Sequence, residues 1–268
     1  MSDTQQYLGY LNTPVLWKNE NSWGMQQFIM PTSTTASIDI NIEPKLRLGK
    51  RVERFVSFEL SKQKNIQILS ENTQIQNHKI TLGEIDCILK QDEICIHLEI
   101  VYKFYVYDPE VGTTEYDHWI GPNRKDSLVD KLLKLKAKQL PLLYRSETEN
   151  YLETTLNISA IDLLQQVYFK AQLFVPYNDN NIHFEELNPD CVKGFYISHN
   201  ELKQFEDCKF YMPEKADWLC DVQTQIPWLT FSMFNDVLQP LIGNKTAPLC
   251  WIKYPNGLTD KCFVVWWK

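Results

Sequence analysis

The chain has 268 residues, of which 44% are hydrophobic and 23% charged, and its formal net charge is −7. These values are typical of a globular protein and exclude a disordered, fibrous or disulfide-stapled chain. The acidic balance argues against a surface that binds polyanions over its whole extent, but it leaves room for local basic segments.

Glycine and cysteine spacing excludes several common sites. The closest two of the nine glycines, Gly112 and Gly121, are nine positions apart, whereas dinucleotide fingerprints, P-loops and nucleophile elbows all need much closer pairs. Seven scattered cysteines without zinc spacing predict reduced, buried thiols. Residues 1–12 lack a signal-peptide pattern, and no apolar run approaches the ~20 residues of a membrane span. We therefore expect a cytoplasmic protein that makes no membrane contact.

Hydrophobic patterns divide the chain into three predicted regions. Residues 1–45 indicate an N-terminal lead-in with one short strand at Ile38, Ile40 and Ile42. Residues 46–150 predict an α/β core. Its elements, in chain order, are a helix (48–63), three strands (66–76, 80–89 and 94–107) and a helix (126–140).

Residues 151–268 predict a C-terminal α+β accessory region that opens with a helix capped by Ser159. Five of the eight tryptophans lie after residue 200. These aromatic side chains favour a core of their own, and the alternative is a surface that stacks on or binds a partner protein.

Carboxylates recur within the predicted core where apolar residues are expected. Glu84 and Asp86 share one face of the second strand, Glu99 and Lys103 share one face of the third, and Glu53 lies on the preceding helix. Magnesium is held by one or two carboxylates, waters and substrate phosphates, and a nearby lysine stabilises the charge that develops on a phosphate. The alternative for Glu53 is an ion pair with Lys50 or an arginine on a solvated helix face.

Two basic segments flank these carboxylates. Residues 45–54 hold five Lys/Arg against one Glu. A stripe on the second predicted helix suits a phosphate backbone, although a solvated helix face is the simpler alternative; it consists of Arg124, Lys131, Lys134 and Lys138, with Lys125 beside it. Gln139 falls on the apolar side of this helix and needs a hydrogen-bonding partner there.

Several segments in combination resemble the bacterial domain of unknown function 1853 family. They are residues 48–55, 82–86, 97–104, 119–126 and 139–140. The run G-P-N-R-K-D at 121–126 is the most specific of them, and the resemblance extends over most of the chain from about residue 46. It implies a PD-(D/E)XK restriction-endonuclease-like core, in which a helix, a three-stranded mixed sheet, a helix and a further strand follow in order.

The resemblance also implies roles for individual residues. Glu53, Asp86 and Glu99 would be the acidic residues and metal ligands, Lys103 the lysine of the motif, and Gln139 the helix glutamine of the exonuclease-like branch. The family pattern places the lysine two positions after the acid, but Val101 stands there, and Lys103 lies about 13 Å along the strand from Glu99. Either a β-bulge brings Lys103 closer, or the fold is retained for binding without a metal.

Two functional hypotheses follow. The first is a magnesium- or manganese-dependent nuclease that hydrolyses phosphodiester bonds in nucleic acid, DNA in preference to RNA. The second is a degenerate nuclease fold that binds nucleic acid or a protein without catalysis. A protein-interaction subunit that uses the tryptophan-rich C-terminal region is a further alternative.

Overall fold

The computed structural model of the chain describes residues 1–31, 37–178 and 182–268. It is an α/β structure built on one large mixed sheet. The helices are α1 (Asp3–Leu11), α2 (Leu48–Ser61), α3 (Leu128–Lys134), α4 (Ser146–Tyr151) and α5 (Phe231–Gly243). The strands are β1 (Ile66–Asn77), β2 (Ile80–Gln91), β3 (Ile94–Tyr107), β4 (Trp119–Ile120), β5 (Leu163–Pro176), β6 (Val192–Ser198), β7 (Lys209–Tyr211), β8 (Leu249–Lys253) and β9 (Thr259–Val265). No helix within these described ranges is long and apolar enough to cross a membrane.

The sheet is larger than the three-stranded one that the sequence predicts. Its order is β1-β2-β3-β5-β6-β9-β8-β7, with β4 paired to β3. β1, β2 and β3 are antiparallel, β3, β5, β6 and β9 run parallel, and β8 and β7 return antiparallel. β3 and β5 lie on either side of the boundary expected at residue 150, so a single sheet crosses that position.

The first part of the sheet agrees with the sequence pattern. β1, β2 and β3 lie at the predicted places, and the two tight connections between them contain His78 and Asp92 with positive φ. Short polar turns with left-handed residues join antiparallel strands at low conformational cost. The predicted helix over 48–63 is confirmed as α2.

β3 is covered on both faces, and this places its polar residues in the interior. Leu98, Tyr102 and Phe104 belong to the apolar cluster that includes α2. Val101 and Tyr105 on the opposite face belong to the cluster that includes Leu128, Leu132 and Leu135. These leucines lie in the helical segment 128–144, which begins with α3. A polar side chain on that second face therefore needs a partner inside the protein.

Three predicted elements differ from the structure. Ile38, Ile40 and Ile42 form no strand. Ser159 precedes only a 3₁₀ turn, Ala160–Asp162, and the chain then enters β5 instead of the predicted helix. The helix predicted over 126–140 is α3 followed by a π-helix, Leu135–Gln139, and a 3₁₀ turn, Leu140–Tyr144.

The C-terminal aromatic residues mostly pack inward, as expected. Trp251 is fully buried, and Trp218, Trp228, Trp266 and Trp267 pack against the same apolar cluster. All seven cysteines are free thiols in the structure, and all except the partly buried Cys95 are buried, as their spacing predicts.

Candidate nuclease-like site

A wedge opens in the sheet where β2 and β3 separate. Their pairing runs from Gln91↔Ile94 to Cys87↔Leu98 and ends there. Beyond this point the backbone of β3 has no partner in β2. The Ile100 backbone N–H of β3 instead donates a hydrogen bond to Asp86 Oδ2 at 2.9 Å. The end of strand pairing thus places Asp86 beside Glu99.

Glu99 is the buried centre of a polar network. Its side chain is fully buried. Glu99 Oε1 lies 3.2 Å from His97 Nε2, and Glu99 Oε2 accepts a hydrogen bond from Gln139 Nε2. The opposite imidazole nitrogen of His97 lies 3.0 Å from Gln165 Nε2 of β5. These contacts provide the partners that a carboxylate in this position requires.

The π-helix after α3 delivers Gln139 to this network. Gln139 Oε1 accepts a hydrogen bond from Lys131 Nζ at 2.7 Å, so one amide bridges the lysine and Glu99. The wider turn of a π-helix shifts the residues that follow it around the axis, and such turns often occur at functional sites. The hydrogen-bonding partner that the sequence required for Gln139 is therefore Glu99, with Lys131 on its other side.

α2 contributes Lys50 and Glu53 to the wedge, in addition to the residues from β2 and β3. Lys50 Nζ contacts Glu53 at 2.7 Å and also bonds to Glu84 of β2 and to Asn72 of β1. The alternative pairing of Glu53 with Lys50 is thus present. Burial nevertheless raises the pKa of Glu53, and the negative charges of Glu84 and Glu99 add to the effect. Glu53 therefore shares the electrostatic environment of Glu99.

We call this group of side chains the wedge site; it comprises Lys50, Glu53, Glu84, Asp86, Glu99, Lys131 and Gln139. Burial and the charge of Glu99 together raise the pKa of Asp86 to about 7, against the lowering effect of the hydrogen bond from Ile100. Burial lowers the pKa of Lys131 to about 8, whereas Glu99 opposes that shift. Four carboxylates and two ammonium groups give the wedge site a formal charge of −2.

Lys103 lies outside the wedge site. Its Nζ pairs with Asp126 at 2.7 Å, and no hydrogen bond links it to the carboxylates of the described wedge site. The ammonium that is linked to Glu99, through the Gln139 amide, is that of Lys131 in α3. The sequence pattern places Lys131 on a basic stripe, and no local signal marks it out, because its contact is with Gln139 beyond the end of α3.

A divalent cation in the wedge site would have few protein ligands. No group of three or more His, Cys, Asp or Glu side chains in the described ranges is placed to share a metal ion. Magnesium needs only one or two carboxylates with waters. Asp86 and Glu99 fit that requirement, since a carboxylate that accepts hydrogen bonds keeps lone pairs for a metal. Neutralising the charge of −2 takes one divalent ion.

The family model described as a domain of unknown function (DUF1853) matches residues 21–264. The chain belongs to this family. The match spans the wedge site and all strands except the last residue of β9. No curated protein and no solved structure matches the chain.

The G-P-N-R-K-D loop of this DUF1853 chain anchors the sheet to the C-terminal segment. Arg124 has φ 54° and pairs with the buried Asp108 at 2.7 Å, while its guanidinium lies 4.6 Å from the Trp267 ring centroid. The Trp267 indole N–H donates to the Pro122 carbonyl at 2.9 Å, and Asn123 Oδ1 accepts from the Ala247 N–H. Arg124 therefore has structural partners on both sides.

The other predicted nucleic-acid contacts of the DUF1853 chain are dispersed. Lys134 and Lys138 are exposed on the helical segment, Lys131 turns into the wedge site, and Lys125 is exposed on the loop. Lys131 and Arg124 thus make internal contacts, whereas Lys134 and Lys138 remain exposed on the helical segment.

A cleft lies next to the wedge site in the DUF1853 chain, between the start of α2, β3 and the loop at 122–126. Its volume is about 850 Å³. We call it the basic cleft, because its lining holds five cations and two acids; these are Lys45, Arg47, Lys103, Lys125 and Lys215, with Asp126 and Glu214. Its formal charge is therefore +3 in a protein of net charge −7.

Proposed function

We propose that this DUF1853 protein is a divalent-metal-dependent nuclease that hydrolyses phosphodiester bonds, with DNA as the preferred substrate. The observation that carries the proposal is that Asp86 accepts a hydrogen bond from the Ile100 N–H where β2 and β3 separate, so that the charge of Glu99 acts on its carboxylate. The order of α2, β1, β2, β3 and α3, followed by β5 parallel to β3, agrees with a PD-(D/E)XK core. That core is the fold we propose for the central part of the chain.

The residues of the wedge site have distinct roles in this proposal. Asp86 and Glu99 would hold a magnesium or manganese ion, with Glu53 as an outer acidic neighbour. When bound, such an ion polarises the phosphodiester and lowers the pKa of a coordinated water. Lys131 balances part of the negative charge next to Glu99. Gln139 holds Glu99 and Lys131 in fixed positions, whereas Lys103 stays paired with Asp126.

The test is cleavage by the purified full chain of labelled single-stranded and duplex DNA and of RNA, with magnesium, with manganese and with EDTA. We expect cleavage that needs the metal and is lost in Asp86→Asn. Asp162→Asn is the matched control, because Asp162 is an exposed acid beyond the helical segment. Cleavage that persists in Asp86→Asn, or the absence of cleavage with either metal, would overturn the proposal.

A degenerate binding module is the second candidate, and a specific observation favours it. Both Glu99 oxygens already accept hydrogen bonds, and Lys103 is tied to Asp126. This candidate predicts nucleic-acid binding that weakens with salt and survives Asp86→Asn, without cleavage. A protein partner for the C-terminal region has less support, because its tryptophans lie in or against the core.

A further inference from the structure

We infer that the basic cleft holds a single strand of nucleic acid, with phosphates among its cations and a base against Trp218. The inference deepens the proposed function and rests on it for the identity of the polymer. It places the expected contacts with the phosphate backbone in the walls of this cleft instead of on the basic stripe of the helix.

The charge of the cleft favours a polyanion. Among its cations only Lys103 forms an ion pair within the described residues, and its partner is Asp126. Lys45, Arg47 and Lys125 are exposed and have no ion pair there. Cations that lie close together without acidic partners repel one another. A bound phosphate chain removes this repulsion, and the release of its counterions favours binding.

The floor of the cleft is aromatic. Tyr102, Phe104 and Trp218 line it, each less than 10% exposed, and Phe104 meets Trp218 edge to face. Single-strand sites combine a basic groove with aromatic rings on which bases stack. An unpaired base has a free face to place on such a floor, whereas the bases of a duplex are stacked inside the helix. The recessed floor therefore favours a single strand.

Lys215 covers the ring that a base would use. Its Nζ lies 3.3 Å from the Trp218 ring centroid, and burial together with the charge of Lys103 lowers the pKa of Lys215 to about 8. A phosphate in the cleft offers this ammonium a better partner than the ring. Movement of Lys215 to the phosphate would then uncover Trp218 for stacking.

Gly49 gives an independent indication. It lies in the first turn of α2 and lines the cleft, and a Cβ built on it would find no atom within 4 Å. Its φ is not positive, so neither packing nor backbone conformation requires glycine. Glycine inside a helix is less favourable than alanine. A ligand that approaches the backbone closely at Gly49 explains why this position has no side chain.

The test is fluorescence polarisation of labelled thymidine strands of about ten nucleotides and of a duplex of equal length, in EDTA at several salt concentrations. EDTA and the Asp86→Asn background separate binding from cleavage. We expect tighter binding of the single strand, accompanied by a change in tryptophan fluorescence that is absent in Trp218→Phe. A protein that binds in this way but never cleaves would overturn the proposed function and leave the inference standing.

Two sets of variants locate the site. Arg47→Ala/Lys125→Ala should weaken single-strand binding roughly tenfold and reduce the slope of log affinity against log salt by about 1.4, for two lost phosphate contacts. Lys64→Ala/Lys79→Ala, two exposed cations outside the cleft lining, is the matched control and should change neither. Gly49→Ala should raise the melting temperature and still weaken binding several-fold. Equal affinity for the duplex, or cleft variants that bind like the control, would overturn the inference.

Discussion

The Gln139 side-chain amide donates a hydrogen bond to the buried carboxylate of Glu99, and so joins the helical segment to β3. The other end of the same amide accepts from Lys131 at 2.7 Å. Its orientation is therefore fixed, because only the nitrogen can face the carboxylate and only the oxygen can face the ammonium. Gln139 thus links the ammonium of Lys131 to the carboxylate of Glu99 by hydrogen bonds.

Gln139→Glu should destabilise the protein at pH 8, because it places a second carboxylate against a buried one. We expect a loss of about 1–3 kcal/mol in the free energy of unfolding, measured by urea denaturation. The loss should shrink towards pH 5, since a proton on the introduced carboxyl group restores a donor to Glu99. Gln239→Glu, on the exposed face of α5, is the control. Equal, pH-independent losses in both variants would contradict the contact.

Lys131→Met and Lys103→Met should have different effects on metal-dependent cleavage. Loss of Lys131 takes the formal charge of the wedge site from −2 to −3, so the variant should reach half-maximal activity at a lower magnesium concentration. Its maximal rate should fall roughly 10²-fold, as when one group that stabilises transition-state charge is lost. Lys103→Met should leave the magnesium dependence unchanged, because Lys103 pairs with Asp126. Measuring the cleavage rate against magnesium concentration distinguishes the two variants. Identical curves for Lys131→Met and Lys103→Met would contradict the electrostatic role of Lys131.

The predicted part of the fold consists of elements whose signals are local. α2 and β1 to β3 follow from helical and alternating periodicity and from the short turns between them. β5 was missed because its residues are buried between two parallel neighbours and do not alternate in polarity, so the segment resembles a buried helix. Periodicity alone does not distinguish these two cases.

The acidic residues of the candidate site were identifiable, but their partners were not. The patterns of β2 and β3 place Asp86 and Glu99 on neighbouring strands, and Asp86 accepts a hydrogen bond from the Ile100 N–H, one residue from Glu99. Lys103 shares the face of Glu99, yet a strand advances about 13 Å over four residues, which carries its ammonium to Asp126. Lys131 of α3 is linked to Glu99 instead, through Gln139, which lies in a π-turn that no spacing rule in the sequence reveals. Non-local geometry therefore decides which lysine is linked to Glu99.

Gly194→Ala should destabilise the sheet at the join between β6 and β9. A Cβ on Gly194 would lie 2.1 Å from the Lys261 carbonyl oxygen, so the backbone of one strand must move. We expect a loss of about 1–3 kcal/mol in the free energy of unfolding. Gly243→Ala is the matched control, because a Cβ there meets open space in α5 and alanine favours a helix. Denaturant titrations should show a lower free energy of unfolding for Gly194→Ala and a higher one for Gly243→Ala. No change in Gly194→Ala would show that the two strands can move apart at little cost.

Lys170 should make stability depend on pH above neutrality. It is buried on β5, where its Nζ donates to the Tyr10 carbonyl at 2.9 Å, and burial lowers its pKa to about 8 from 10.5. Between these two pKa values the unfolded chain binds more protons at this site than the folded one. The free energy of unfolding therefore rises with pH through this window, by up to about 1.4 kcal/mol per unit from this group.

Lys170→Met removes that contribution, so the difference in stability between the wild-type chain and the variant should grow in favour of the wild-type chain from pH 7.5 to 9.5. Burial raises the pKa of Tyr10 and Tyr168 beside it, so stability falls with pH above about 10, and the series must stop below that value. Burial also raises the pKa of Glu59, which accepts a hydrogen bond from the Tyr10 hydroxyl. Urea denaturation at each pH measures the difference, with Lys209→Met on the exposed edge of β7 as the control. A difference that stays constant across the window would mean that the buried amine keeps its proton, held by Glu59 and the Tyr10 carbonyl against the cost of desolvation.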